Sequence, residues 1–368
     1  MTHLTFDNQF NRSVDNLPLT LTHLTFDHHF NQSVDNLPKY LTHLTLSLYF
    51  NQSVDNLHST LIYLTFDNHF NRSVDNLPEH ITYLKFGYNF NQSVNNLPKY
   101  LTNLIFDFNF NQPVDNLPKY LTNLIFGYNF NLSVDNLSSS LTHLTFSLNF
   151  NQPVNNLPSM LTHLTFGSSF NQSVDNLPNS LTQLTFGNSF NQQANNLPNK
   201  LTHLTFGYYF NQEVNNLPNS LTHLTFSNTF NKEINNLPNS ITHLTFGQNF
   251  NQKVNLPFNI KYLNLYCNNQ YLIDNLPDCV EELKLGFYFN LELINLPTSI
   301  KSLLFDKFSK YNKELNCLPN FVELIQLPKT YDKKLLKIPK ELKKIVCDKN
   351  YKFIEDFVNL NVEIYEKN

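Results

Sequence analysis

Leu21-Thr22-His23-Leu24-Thr25-Phe26-Asp27-His28-His29-Phe30-Asn31-Gln32-Ser33-Val34-Asp35-Asn36-Leu37-Pro38-Lys39-Tyr40 is the stretch that decides the fold. Leu24 and Phe26 alternate with His23, Thr25 and Asp27. That period of two marks a strand buried on one side, and Thr and Phe suit such a pleated surface. Asn36-Leu37-Pro38 is turn chemistry: Pro38 fixes its own φ and drives Leu37 to an extended conformation. The stretch returns every 20 residues, with Leu4 to Leu244, Phe10 to Phe250 and Asn11 to Asn251 in unbroken register. A period this short has no room for a pair of helices. Successive copies must instead lay their strands side by side in parallel, about 4.8 Å apart. The inward set is Leu21, Leu24, Phe26, Phe30, Val34 and Leu37, too few for a core alone but enough when stacked copies share one. Phe30 and Val34 are expected on the opposite wall, on a short second strand.

The repeat explains a skewed composition of 60 Asn, 34 Phe, 18 Tyr, 7 Gly and no Trp in 368 residues. The Phe columns represented by Phe26 and Phe30 hold 25 of the 34 Phe, and offset ring stacking along them adds to burial. Seven Gly are too few for a collagen or a flexible linker, and charge is too low for a solvated disordered chain. Asn11, Asn31 and Asn36 belong to Asn columns whose amides can both donate and accept, so stacked Asn is expected to satisfy the backbone of each turn. Tolerance of left-handed geometry by Asn is expected to replace Gly there.

The register slips by one residue at Asn255-Leu256-Pro257, and degenerate copies follow with Leu-Pro or Ile-Pro pairs at Leu276, Leu296, Leu318 and Ile338. Thirteen regular units and five or six worn ones give a mostly β, single-chain solenoid of about 18–19 repeats. Residues 1–250 carry 8 Lys+Arg against 14 Asp+Glu, and residues 251–368 carry 17 against 15. This division suggests regular repeats over 1–254 and a degenerate C-terminal cap over 255–368. The net charge of −4 gives no global attraction to nucleic acid or to an anionic membrane. No apolar run is long enough to span a bilayer and no secretory signal is visible, which points to the cytoplasm (host cytoplasm if viral). Cys267, Cys279, Cys317 and Cys347 show no C-x-x-C spacing and read as reduced thiols.

Phe-Asn-Gln-Ser/Pro-Val followed by Asn-Leu-Pro-x-x-Leu-Thr-His-Leu-Thr-Phe resembles the FNIP repeat, across the whole chain and most closely over residues 1–254. The resemblance implies a leucine-rich-repeat-like solenoid, of a family found in social amoebae and in giant viruses that infect them. Leu21-x-x-Leu24-x-Phe26 fits a leucine-rich-repeat strand, but Phe30 and Asn31 stand where that pattern expects other residues, so the turn after the strand must differ. Several relatives carry an F-box that docks them on a cullin-type ubiquitin ligase, implying substrate recognition. No F-box-like stretch occurs in this sequence.

Three outward columns form the candidate recognition face. The first holds His3, His23, His43, Tyr63, Tyr83, Asn103 and Asn123, then His143, His163, Gln183, His203, His223 and His243. Stacked His could bind a transition metal, but Tyr and Asn interrupt the column and no carboxylate or Cys is built in beside it, so no metal is expected. The second column is Thr25 and its equivalents, broken by Lys85, Ile105 and Ile125; the neighbouring column is His rather than a second Thr, which argues against an ice-binding ladder. The third mixes Asp7, Asp27, Asp67 and Asp107 with Gly and Ser. A separate turn column, Asp15 to Asp175, exchanges freely with Asn, which points to turn capping rather than to calcium. Asn-x-Ser triplets such as Asn31-Gln32-Ser33 match a glycosylation sequon but are read as structural, because Asn111-Gln112-Pro113 breaks the triplet without altering the repeat. Lys333, Lys334, Lys337, Lys340, Lys343 and Lys344 cluster with Tyr331 and Tyr351, diluted by Glu341 and Asp348, as in a charged cap rather than a nucleic-acid site.

No nucleophile arrangement or phosphate loop stands out, and repetition argues against a single asymmetric catalytic site. The expectation is a non-enzymatic scaffold without a cofactor that binds an unknown protein through its strand face. A structural or decaying repeat paralogue without a specific ligand, or ladder-type metal or ice binding, is the alternative. The strand His3-Leu4-Thr5-Phe6 follows Met1 without a cap, which suggests self-association through that edge or loss of an upstream domain.

Overall fold

The computed structural model describes residues 1–357 and 359–364; Val358 and residues 365–368 of the degenerate segment lie outside the described residues. These residues make a parallel β-solenoid of about 18 turns with almost no helix. The chain divides into two compact bodies, Met1–Phe190 and Asn191–Asn368.

The first body carries ten three-residue strands, from β1 (His3–Thr5) and β2 (His23–Thr25) to β10 (Gln183–Thr185). Pairing is parallel and in register, so His3 lies opposite His23 and Leu4 opposite Leu24, and the same holds along the body. The middle residue of each strand after β1 is buried and the outer two face outward, as the alternation Leu24 against His23 and Thr25 requires. Leu21 and Phe30 are fully enclosed, and Leu24, Phe26 and Val34 are buried with them. Leu37 is only half-buried, and Pro38 beside it is buried.

The two Phe columns are one structure. Phe26 stacks on Phe30 of its own turn at 3.7 Å, and Phe30 stacks on Phe50 of the next at 6.1 Å. Each ring removes roughly 2 kcal/mol worth of apolar surface from water, and the offset stacking adds to it.

Two expectations change. No second strand forms around Phe30 and Val34: that wall is a series of turns. Its backbone groups are tied instead by short bonds, such as that from the N–H of Phe50, the Phe30 equivalent one copy on, to the Ser47 carbonyl at 3.2 Å. Nor is left-handed backbone used, because no residue among those described has a positive φ. Asn serves through its amide and not through its conformational tolerance.

Among its described residues the second body carries nine strands, from β11 (His203–Thr205) to β19 (Asn361–Ile364). The one-residue slip leaves the inward register intact, with Leu244 opposite Leu263 and Phe246 opposite Leu265. The next copy lacks the Phe of the spine, and Asn269 stands in its place. That stretch closes with helix α1 (Gln270–Asp274), in which the Asn269 side chain caps the Leu272 N–H, while Leu272 and Ile273 fill the core. Further on, two extra residues are absorbed before Tyr311, where the buried Ser309 hydroxyl accepts from the Tyr311 N–H at 3.1 Å. Tyr311, Tyr331 and Tyr351 then continue the spine in place of Phe.

Candidate interaction face

The outward His column is an ordered stack. His3, His23 and His43 lie with ring centroids 4.1 Å apart, as do His143 and His163, and His203 and His223; His243 follows at 3.9 Å. The residue before each His positions it. The Thr42 hydroxyl donates to the Thr22 carbonyl at 3.0 Å and lies 2.9 Å from His43 Nδ1. Because a hydroxyl has one hydrogen, Nδ1–H donates to the Thr oxygen, which makes Nε2 the acceptor whenever the ring is neutral. The same Thr–His pairing recurs at His23, His143, His163, His203, His223 and His243. Partial burial and the neighbouring imidazoles His243 and His203 lower His223 to about 4. Desolvation, with the same repulsion between rings, also lowers His23 and His243. Burial and the neighbouring rings thus bias His23, His223 and His243 toward the neutral form.

Tyr63 and Tyr83 continue the column at 4.3 Å, followed by the Asn103–Asn123 amide contact. In the second column Thr25 is half-buried and Lys85 is exposed, while Ile105 and Ile125 replace Thr on the outward face. The third column is not uniformly outward. Asp67 and Asp107 are exposed, and each carboxylate accepts from the next backbone N–H, at 2.7 and 2.8 Å. Asp27 binds the adjacent His28 ring. Ser47 and Ser227 at the equivalent place are instead buried and donate to the Phe30 and Phe210 carbonyls. At Gly87 a Cβ would come within 2.3 Å of the Asp67 carbonyl carbon, so the absence of a side chain there is steric.

The remaining columns are occupied by the repeat itself. Asn11 Oδ1 accepts from the Asn31 N–H at 2.9 Å, Asn31 Oδ1 accepts from Asn51, and the ladder continues copy by copy. In the turn, Asp35 accepts from the Ser33 hydroxyl at 2.7 Å and from the Asn56 amide at 3.1 Å. Asn36 likewise donates to Asp15, and the bonds from Ser13 and Asn36 hold the Asp15 carboxyl below its usual range. These carboxylates are engaged in turn capping. Among the described residues no group of three or more His, Cys, Asp or Glu is placed to hold a metal ion, and no helix is long and apolar enough to cross a membrane.

Sequence reasoning missed three features. One is the Thr preceding each His, whose hydroxyl orients the ring. The second is an aromatic column just after the strands, in which Tyr88, Phe108 and Tyr128 stack at 4.4 Å. The third is a ladder of alternating charge in the second body, at the place of that Thr: Lys261, Glu281 and Lys301 pair at 3.3 and 2.8 Å, and Glu323 pairs with Lys343 at 2.8 Å. Laying the regular copies in register exposes the first two, and adding the degenerate copies exposes the third. Of the basic cluster, Lys334 pairs with Asp356 and Lys344 with Glu363, so its charge is partly spent within the fold. None of the four cysteines is paired.

Comparison with known proteins places this architecture. The chain is similar to CroV588, described as a novel circular leucine-rich-repeat protein, at 39% identity and a TM-score of 0.74, covering 95% of this chain and 63% of that one. It thus spans less than two thirds of that relative's length. Weaker similarity links it to YopM of Yersinia enterocolitica, at 18% identity, TM-score 0.47 and coverage of 95% and 91%. InlJ of Listeria monocytogenes follows at 15% identity, TM-score 0.45 and coverage of 90% and 63%. No curated protein matches the sequence. The FNIP Repeat model matches ten overlapping stretches: 70–108, 90–127, 110–149, 128–169, 150–189, 170–209, 190–229, 210–249, 230–268 and 250–288. The Phe spine, the Asn ladder and the Asn-Leu-Pro turn recur through these matched stretches, and the chain belongs to the FNIP repeat family.

Proposed function

We propose that this protein is a non-enzymatic repeat scaffold that binds another protein through the outward face of its strands. The observation that carries this reading is a division of labour within the repeat. The core Leu and Phe, the ladder Asn and the turn Asp/Asn are engaged by neighbouring copies and vary little along the chain. The outward residues vary in chemistry: His at 23 and 43, Tyr at 63 and 83, Asn at 103 and 123, Thr at 25 but Ile at 105 and 125. A rigid parallel sheet holding such side chains in fixed rows offers many weak contacts at low ordering cost. His3, His23, His43, Tyr63, Tyr83, His143, His163, His203, His223, His243, Thr25, Asp27, Asp67 and Asp107 form this face in our reading. The degenerate segment 255–368 serves as its C-terminal cap, and the cytoplasm is its place of action. The narrower role of selecting substrates for a ubiquitin ligase rests on the resemblance to F-box relatives alone.

Affinity purification of the full chain from its native cell, after cross-linking, tests the reading. A variant with the outward His replaced by Asp should lose its specific partners. A variant altered in the far turn, Lys39→Glu with Lys119→Glu, should keep them. Equal enrichment by both would sink strand-face recognition.

A further inference from the structure

The strand face of the first body contains one stretch unlike the rest. Across four consecutive copies the His position holds Tyr63, Tyr83, Asn103 and Asn123, and the Thr position holds Thr65, Lys85, Ile105 and Ile125, so two Tyr and two Ile stand where the flanking copies carry His and Thr. Beside them runs the stacked column Tyr88, Phe108 and Tyr128, with Tyr88 and Tyr128 left 41% and 37% exposed. Such a side-by-side set of apolar groups on a face otherwise made of His, Thr and Asn marks a binding surface rather than scattered exposure.

Its electrostatics define what it would accept. Within the window the outward columns carry two carboxylates, Asp67 and Asp107, against one cation, Lys85. Asp67 and Asp107 lie in the same copies as Tyr63 and Ile105. Their bonds to the following backbone N–H groups hold both carboxylates in place, so little ordering cost remains when a cation docks. Stacking along the column covers both faces of Phe108 and one face each of Tyr88 and Tyr128, so ring edges and the two Ile side chains make most of the contact surface. That geometry suits aliphatic side chains better than the flat faces of a sugar or a base, which need an open ring to stack upon.

We propose that this window, from Tyr63 to Tyr128, docks a segment of another protein that presents aliphatic side chains flanked by Lys or Arg. The proposal rests on the strand-face reading above and narrows it to one part of the face and one partner chemistry.

Fluorescence anisotropy of the full-length chain with four labelled dodecapeptides tests it. The probes share one backbone pattern and are Lys/Leu, Lys/Ser, Glu/Leu and Gln/Leu in composition. Lys/Leu should bind tightest. Ile105→Thr with Ile125→Thr restores the residue of the flanking copies, so folding should survive, as circular dichroism and melting will show, while Lys/Leu binding weakens about tenfold. Asp67→Asn with Asp107→Asn should weaken Lys/Leu binding and leave Gln/Leu unchanged. Equal binding of Glu/Leu and Lys/Leu, or no effect of the Ile variants, would overturn the proposal. Light scattering that shows a dimer dissolved by the Ile variants would overturn it too, by making a second copy the occupant. The native-cell purification separates the two levels. Partners lost with the His variants but retained with the Ile variants would refute the window and leave the strand-face reading standing. Partners retained by both would refute both.

Discussion

The regular copies of the first body and the degenerate copies after residue 255 solve one packing problem with different chemistry. In the first, a turn is closed by an Asn side chain accepting from the next copy's backbone, as Asn131 does for Asn151 at 2.9 Å, and the spine is Phe on Phe. In the second, the spine passes to Tyr311, Tyr331 and Tyr351. The Tyr331 and Tyr351 hydroxyls donate to the Lys313 and Lys333 carbonyls at 3.2 and 2.7 Å, and burial raises both phenols. The Thr that orients each outward His gives way to the alternating Lys and Glu. Neutral amide and hydroxyl ladders work in every copy because each copy donates to the one before it and accepts from the one after it. A charged residue cannot stack on its like, so a charged ladder must alternate. The lesson is that a repeat can lose its sequence regularity without losing its fold when each lost backbone tie is replaced.

Four experiments test this contrast, from the largest effect to the smallest. Phe130→Ala removes a ring that stacks on Phe126 at 3.8 Å and on Phe110 and Phe150 at 6.1 Å. It should cost about 3–5 kcal/mol, read by urea unfolding or local amide exchange. Tyr331→Phe should cost much less, since the ring remains; equal losses would erase the distinction between the two spines. Asn131→Ala leaves the Asn151 N–H without its acceptor and should cost about 1–3 kcal/mol, with faster exchange at that amide. Unchanged exchange there would refute the ladder as a structural tie.

The third experiment concerns acid. His223 is ordinary in the unfolded chain and held at about 4 in the fold, so the unfolded chain binds the proton first as pH falls. Stability present above pH ~6.5 should therefore decline between pH ~6.5 and ~4, by about 1–2 kcal/mol allowing for solvent screening at this half-buried group. The decline should be reduced in His223→Asn, measured by thermal melting across that range. A decline equally large in the variant would place the acid sensitivity elsewhere. The smallest effect belongs to Glu281→Gln, which uncouples Lys261 and Lys301 at the surface. It should slightly lower the melting temperature at low salt and have no effect at high salt. A salt-independent loss would show that Glu281 acts through packing.

Much of this was legible from one copy of the repeat. The alternation around Leu24 specified the strand and its buried side, and the 20-residue return specified parallel stacking. Asn31 was readable as a ladder residue because its amide is complementary to its own copy. The second strand at Phe30 and Val34 was not there to be found: apolar inward residues look alike whether they stand on a strand or on successive turns. The outward assignment of the Asp27 column was only partly right, because Ser47 is short enough to turn inward and reach a carbonyl where Asp cannot.

The sequence by itself determined the period, the identity of the core and the absence of room for helical pairs, because these follow from spacing and side-chain polarity along one chain. Only the tertiary structure decided the rest. It assigned the Nδ1–H form of the His column and the closure of the degenerate copy by α1. It also stacked Tyr88, Phe108 and Tyr128, and paired Lys261, Glu281 and Lys301. The reason for most of these is that they depend on contacts between residues about 20 positions apart, whose partners are defined only when one copy is laid upon the next; the α1 cap is local, and it depends on Leu272 and Ile273 finding the core.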